Sequence, residues 1–237
     1  MKHLPNFITS LNLTSGFIAI IFAANGNIVF ASWLIVAAMI FDFLDGFSAR
    51  LLKAYSAIGK ELDSLADVVS FGVAPGVIIY HLMAASVVPN ASLNTSVLKP
   101  VLLMIIPAVM AVCAALRLAI FNLDPSQTIS FKGLPTPANA IAVISIVISG
   151  HYSHSPFINF VTGSPVLLTL FTLILSLLMV SRMPLLSLKI SNLNFKGNEG
   201  RCILAGLLII DFVIFGAMAL PLIIPLYIFA SLLSLLF

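Results

Sequence analysis

Charge is what this sequence has least of. Its 237 residues include 8 acidic and 11 basic ones, only 8% of the chain, against 61% hydrophobic residues and a mean hydropathy of +1.18. A soluble domain of this length could not keep its surface in water with so few charges, so the chain is expected to be an integral membrane protein. A net charge of +3 spread along the chain gives no reason to expect a nucleic-acid partner. Cysteine is almost missing too. Cys113 and Cys202 both sit within or at the start of apolar runs and exclude a disulfide framework. The four histidines, His3, His81, His151 and His154, do not gather at ligand spacing. No internal repeat appears, and one domain is the economical reading.

What is abundant is apolar sequence in runs that approach the ~20 residues a helix needs to cross the hydrocarbon. Eight such runs are found, at about 12–25, 30–52, 61–84, 98–121, 138–152, 164–182, 201–218 and 220–237. The fold class expected is therefore an all-α polytopic helix bundle. Before the first run, Leu4, Phe7, Ile8 and Leu11 recur at helical spacing among polar residues, which suits a helix lying along the membrane surface. A single Lys in the leading segment and a weak Ala23-Ala24 cleavage cue favour an uncleaved first helix over a signal peptide. Breaks fall at Asn25-Gly26-Asn27, from Pro89 to Asn94, from Ser153 to Pro165, and from Gly216 to Pro221. Residues 1–182 are expected to form the core, with 183–237 adding a cytoplasmic loop and an accessory hairpin.

Basic residues accumulate on the cytoplasmic side of a membrane. With the amino terminus inside, ten of the eleven lie at that edge, and Lys99 alone falls outside. The same assignment puts residues 42–67 at the cytoplasmic edge.

Those residues, DFLDGFSARLLKAYSAIGKELDSLAD, hold Glu61 and four aspartates, Asp42, Asp45, Asp63 and Asp67, five of the eight acids. The pattern is D-x-x-D-G-x-x-A-R-x8-G-x3-D-x3-D. On a helix, Asp42, Asp45, Gly46 and Ala49 share one stripe, and on the next helix Gly59, Asp63 and Asp67 share another. Two carboxylate stripes set face to face make a pocket whose floor, Gly46, Ala49 and Gly59, has almost no side chain, so a diphosphate can approach the backbone. Four like charges at such range need compensation. Carboxylates with no His or Cys nearby select a hard ion, Mg²⁺ or Mn²⁺, and Mg²⁺ shares its shell with substrate phosphates. Pairing with Arg50, Lys53 and Lys60 in a solvated loop is the alternative, but it gives no reason for every aspartate to keep to a helical stripe beside glycine.

All eight fixed positions, Asp42, Asp45, Gly46, Ala49, Arg50, Gly59, Asp63 and Asp67, match the motif of the CDP-alcohol phosphotransferase family, which the chain resembles. The resemblance implies a membrane enzyme that cuts a CDP-linked lipid such as CDP-diacylglycerol and passes its phosphatidyl group to an alcohol, in a homodimer within membrane lipid. It implies a metal pair held by the four aspartates, with Asp67 also the general base, and a diphosphate steadied by Arg50. Asn6 and Thr9, in Pro5-Asn6-x-x-Thr9, resemble residues that lie near the nucleotide in this family; capping or facing water is the alternative for both.

Two further blocks, Ser64 to Pro75 and Leu116 to Ala140, resemble the phosphatidylserine synthases within the family and imply L-serine as acceptor. Inositol or glycerol phosphate stays open as an alternative. Arg117 and Lys132 are candidates for holding the acceptor or a phosphate; for Arg117 the alternative is snorkelling to the headgroups. Asp211 stands alone in an apolar run and reads as a protonated or hydrogen-bonded acid. A reading of a different class, an Asp-lined transporter, would want these acids near the midplane and paired broken helices in inverted halves, neither of which is evident.

Overall fold

The computed structural model describes residues 3–87, 98–124, 131–153, 155–186 and 198–234. The predicted breaks at Pro89 to Asn94 and the polar loop from Ser191, with Lys189 and Lys196, lie outside them, as does His154. The described chain is a helix bundle. Its helices are α1 (Leu4–Ala24), α2 (Ile28–Leu51), α3 (Ala57–Asp67), α4 (Ala74–Val87), α5 (Leu98–Leu123), α6 (Thr136–Ser153), α7 (Pro156–Thr162), α8 (Pro165–Val180), α9 (Glu199–Phe215) and α10 (Ile223–Leu233). A π-helical segment, Val68–Val73, joins α3 to α4, and a 3₁₀ segment, Gly216–Leu222, joins α9 to α10.

Residues 4–24 form one helix without a break. The surface helix and first span expected from the sequence are thus a single element, and at ~1.5 Å per residue its 21 residues can cross the hydrocarbon. Over their described residues the eight apolar runs all appear as helix. Five continuous stretches among the described residues are long and apolar enough to cross, six if α7 and α8, bent by 83°, count as one. Helix α6 falls outside that set for a physical reason. Every residue from Ala142 to Ser149 is buried against protein, so α6 meets other helices rather than lipid and can carry Asn139, Ser145 and Ser149. By contrast, α9 exposes Ile209, Ile210, Phe212, Val213, Ile214 and Phe215, as a lipid-facing helix must.

Small residues let α1 and α2 approach closely. Ser15, Ala19 and Ala23 on one and Ala31, Ser32 and Ala38 on the other are buried, and Gly16 lets α1 reach the π-helical segment, where a Cβ would stand 2.7 Å from Ser70 Cα; membrane helices use such small residues where no hydrophobic drive separates protein from lipid. The long run Glu199–Leu233 doubles back on itself: Gly200, at the start of α9, lies against Ser234, just past α10. The turn is at Gly216, whose positive φ of 55° suits a residue without Cβ.

Among the described residues one paired element is a strand ladder rather than a helix. Phe131–Lys132 (β1) pairs antiparallel with Pro184–Leu185 (β2), tying the loop before α6 to the chain after α8. Gly133 makes that crossing feasible. Its φ is 76°, and a Cβ there would stand 2.5 Å from the carbonyl oxygen of Met179.

Candidate active site

The motif helices meet at one end of the bundle. Asp42 and Asp45 stand near the end of α2, Asp63 and Asp67 on α3. Carboxylate oxygens of Asp42, Asp63 and Asp67 lie within 4.8 Å of one another, close enough to share an ion. Asp45 is buried on the same stripe but outside that triad, a narrower grouping than the four ligands expected from the sequence.

The acid oxygens in and beside the triad suit a cation. Asp63 Oδ1 and Asp45 Oδ2 are buried without a hydrogen-bond partner, and none of the four aspartates forms an ion pair among the described residues. Buried acid oxygens left bare cost several kcal/mol unless something positive faces them. An oxygen-only donor set fits a hard divalent ion.

Two cavities flank the aspartates. The first, about 420 Å³, is lined by Asn6, Thr9, Asp45, Gly46, Ala49, Arg50, Ser56, Gly59, Lys60 and Asp63. Ser56 caps α3 by accepting a hydrogen bond from Gly59 N at 2.9 Å, and a Cβ on Gly59 would stand 2.8 Å from Asn6 Oδ1. Glycine there is what lets the start of α1 reach the start of α3. Arg50 curls back over Gly46, its guanidinium 3.8 Å from where a Cβ would be. Asn6, Thr9, Arg50 and the three small residues thus surround one space with Asp45 and Asp63.

The second cavity, about 570 Å³, lies on the other side, with Asp63, Asp67 and Arg117 on its wall. Asp63 therefore faces both spaces, Asp45 only the first and Asp67 only the second. Arg117 is buried, 8% exposed, which removes the snorkelling alternative. It donates to Thr136 Oγ1 at 3.4 Å, lies 5.2 Å over the Phe121 ring, and its Nε has no partner among the described residues. Beyond it a third cavity, about 380 Å³, adds Asp124, Lys132 and Arg182. Lys132 pairs with Asp124 at 3.3 Å and so stands a step away from the aspartate triad.

Three supporting features escaped the sequence reading. Asn12, fully buried in α1, donates from Nδ2 to Asp67 Oδ1 at 3.4 Å, and its backbone carbonyl accepts from Ser70 Oγ at 3.1 Å. The π-helical turn begins directly after Asp67, and the Phe71 carbonyl within it accepts from Asn139 Nδ2 at 3.0 Å. Such turns concentrate at functional sites because they re-aim a side chain without ending the helix. Asn12 had a signal: an amide inside an apolar span is costly without a partner. Asp211 is buried on α9 with Oδ2 unpartnered among the described residues.

Comparison with known proteins decides what this arrangement belongs to. The model of the CDP-alcohol phosphatidyltransferase family matches residues 2–180. The chain belongs to that family. Within it, the chain is 37% identical over 180 residues to a CDP-diacylglycerol–serine O-phosphatidyltransferase of Helicobacter pylori, covering 75% of this chain and 69% of the relative. It is 33% identical over 182 residues to the Bacillus subtilis protein of the same name, covering 77% and 89%. An archaetidylserine synthase of Methanothermobacter thermautotrophicus is 33% identical over 152 residues, covering 63% and 60%. Membership in the phosphatidyltransferase family separates the two classes left open by the sequence, in favour of the enzyme over the transporter.

Proposed function

We propose that the protein transfers the phosphatidyl group of CDP-diacylglycerol to the hydroxyl of L-serine, giving phosphatidylserine and CMP. The observation that carries this reading is the row of aspartates running between two cavities, polar and glycine-floored on one side, bordered by a buried arginine on the other. The names of the Helicobacter and Bacillus relatives support serine as the acceptor.

In this reading the first cavity takes the cytidine diphosphate. Asn6 and Thr9 line the nucleotide, Arg50 donates charge-assisted hydrogen bonds to the diphosphate, and Gly46, Ala49 and Gly59 leave it room. Asp42, Asp63 and Asp67 hold the divalent ion, Mg²⁺ or Mn²⁺, with Asp45 as the fourth acid of the site. When bound, that ion supplies neutralisation of the diphosphate charge and polarisation of its phosphorus–oxygen bonds.

Asp67 acts from the second cavity. Its Oδ1 is steadied by the Asn12 amide, and its carboxylate accepts the serine hydroxyl proton. The serine oxygen bonds to the lipid-side phosphorus, the bond from that phosphorus to the bridging oxygen breaks, and CMP leaves through the first cavity. Arg117 and the cationic third cavity behind it, with Lys132 and Arg182, receive the serine carboxylate.

The site faces the cytoplasm in this account, where the basic residues gather, and residues 1–182 act as the catalytic core. Two measurements test the account. Purified protein offered CDP-diacylglycerol with serine, inositol, glycerol phosphate or no alcohol should release CMP with serine foremost; release with another alcohol foremost would reassign the acceptor. In cells, with Cys202 replaced by Ser, a membrane-impermeant thiol reagent should label Tyr152→Cys and not Tyr55→Cys, both exposed positions; the opposite pattern would invert the topology.

A further inference from the structure

The wall of the second cavity is built partly by residues outside the family match. That match ends at residue 180, yet Leu204 and Leu208 of α9 and Ile224 and Tyr227 of α10 line the same space as Asp67 and Arg117. The hairpin is fastened there. Tyr227 Oη donates to the Leu186 carbonyl at 2.9 Å, and Ser231 Oγ, one turn on, accepts from Leu186 N at 3.1 Å. Both backbone groups of a residue just past β2 are thus satisfied by α10, as a buried segment requires. The 3₁₀ segment packs on α6, which contributes Ile141 to the cavity.

The charged groups of the lining all stand on the core, which also brings Leu118, Phe121 and Ile141. Polar groups, Asp63, Asp67, Arg117 and Asn122 among them, stand on the core helices, whereas the hairpin supplies aliphatic side chains and the Tyr227 ring. A small zwitterionic acceptor has no partner along that apolar wall, and the cationic third cavity suits it better. A hydrocarbon chain attached to a phosphate at the aspartates fits both parts.

We infer that the C-terminal hairpin makes this cavity a chamber for one acyl chain of the donor lipid. The inference rests on the phosphatidyl-transfer reading above. The chamber's volume, about 570 Å³, lies within the ~300–1,000 Å³ of small-molecule sites. Moving a chain from bilayer to chamber gains little transfer free energy, since lipid tails are as apolar as leucine. The hairpin therefore selects and positions the chain by shape, holding the lipid-side phosphorus in register with Asp67.

Two arms on the full chain in detergent test this. In the first, kcat/KM is measured for dioleoyl and dihexanoyl CDP-diacylglycerol in wild type and in Leu208→Trp and Ile224→Trp, which fill the chamber. The long-to-short ratio should fall tenfold or more in both variants, with the serine KM moving less than the long-donor KM. An unchanged ratio with a raised serine KM would give the chamber to the acceptor, and unchanged values throughout would leave it without a ligand; either overturns the inference. In the second arm, wild type is irradiated with a long-chain CDP-diacylglycerol carrying a diazirine in its tail. Label in residues 199–234, displaced by unlabelled long-chain donor, is expected, and label confined to other helices would overturn the inference. Because cross-linking needs no turnover, label without CMP release would sink the transfer reading and leave the chamber standing.

Discussion

The two cavities beside the aspartates differ in what their walls are made of. The first is floored by Gly46, Ala49 and Gly59 and ringed by side chains that can hydrogen-bond; the second is aliphatic except along the core helices. A nucleotide diphosphate needs close backbone approach and donors, and a lipid chain needs neither. The difference teaches that a single acidic row can serve ligands of opposite polarity when it forms the partition between them. Asp63 faces both spaces, with Lys60 one turn before it on the same helix, and is the acid through which the two sides are joined.

The largest effect is expected at the partition itself. Asp42→Asn or Asp63→Asn removes a carboxylate from the triad and should lower CMP release on the order of 10² to 10⁴, the range implied by several kcal/mol of charge stabilisation, with insertion in the membrane unchanged. Turnover near normal at saturating Mg²⁺ or Mn²⁺ would show that the triad is not the ion's site. A smaller effect belongs to the first cavity alone. Gly59→Ala sets a Cβ 2.8 Å from Asn6 Oδ1, and an overpacking cost of ~1–3 kcal/mol should appear mainly as a donor KM raised about tenfold. If the serine KM rises instead, the first cavity takes the acceptor and not the nucleotide.

Most of the bundle was legible because lipid imposes one rule on the residues it touches. The apolar runs of α2, α5 and α9 obey it and stand out. Where a helix touches only protein the rule lapses, so α6 passed in the sequence as an ordinary span although its surroundings are quite different. The β1–β2 pair is two residues long on each side, too short to leave a period. In the site, the aspartate spacing was legible because i, i+3 and i+4 positions share a helix face whatever the tertiary fold. Asn12 and Asn139 were not singled out. Their partners, Asp67 and the Phe71 carbonyl, lie 55 and 68 residues away, and the widened turn that offers Phe71 follows from packing rather than from any local residue preference. The division of Asp45, Asp63 and Asp67 between two cavities also needed coordinates. A stripe on a helix states which side chains are neighbours, not what space each one faces.

The central claim is that Asp67 works from the side opposite the nucleotide, and one variant tests it most directly. In Asp67→Asn, turnover with CDP-diacylglycerol and serine and equilibrium binding of the donor would be measured on the same preparation. The account predicts a loss of about 10² to 10⁴ in kcat, as for removal of a general base, with donor affinity within a few-fold of wild type. Donor and metal affinity falling together while kcat at saturation is retained would contradict it, and would leave Asp67 as a ligand only.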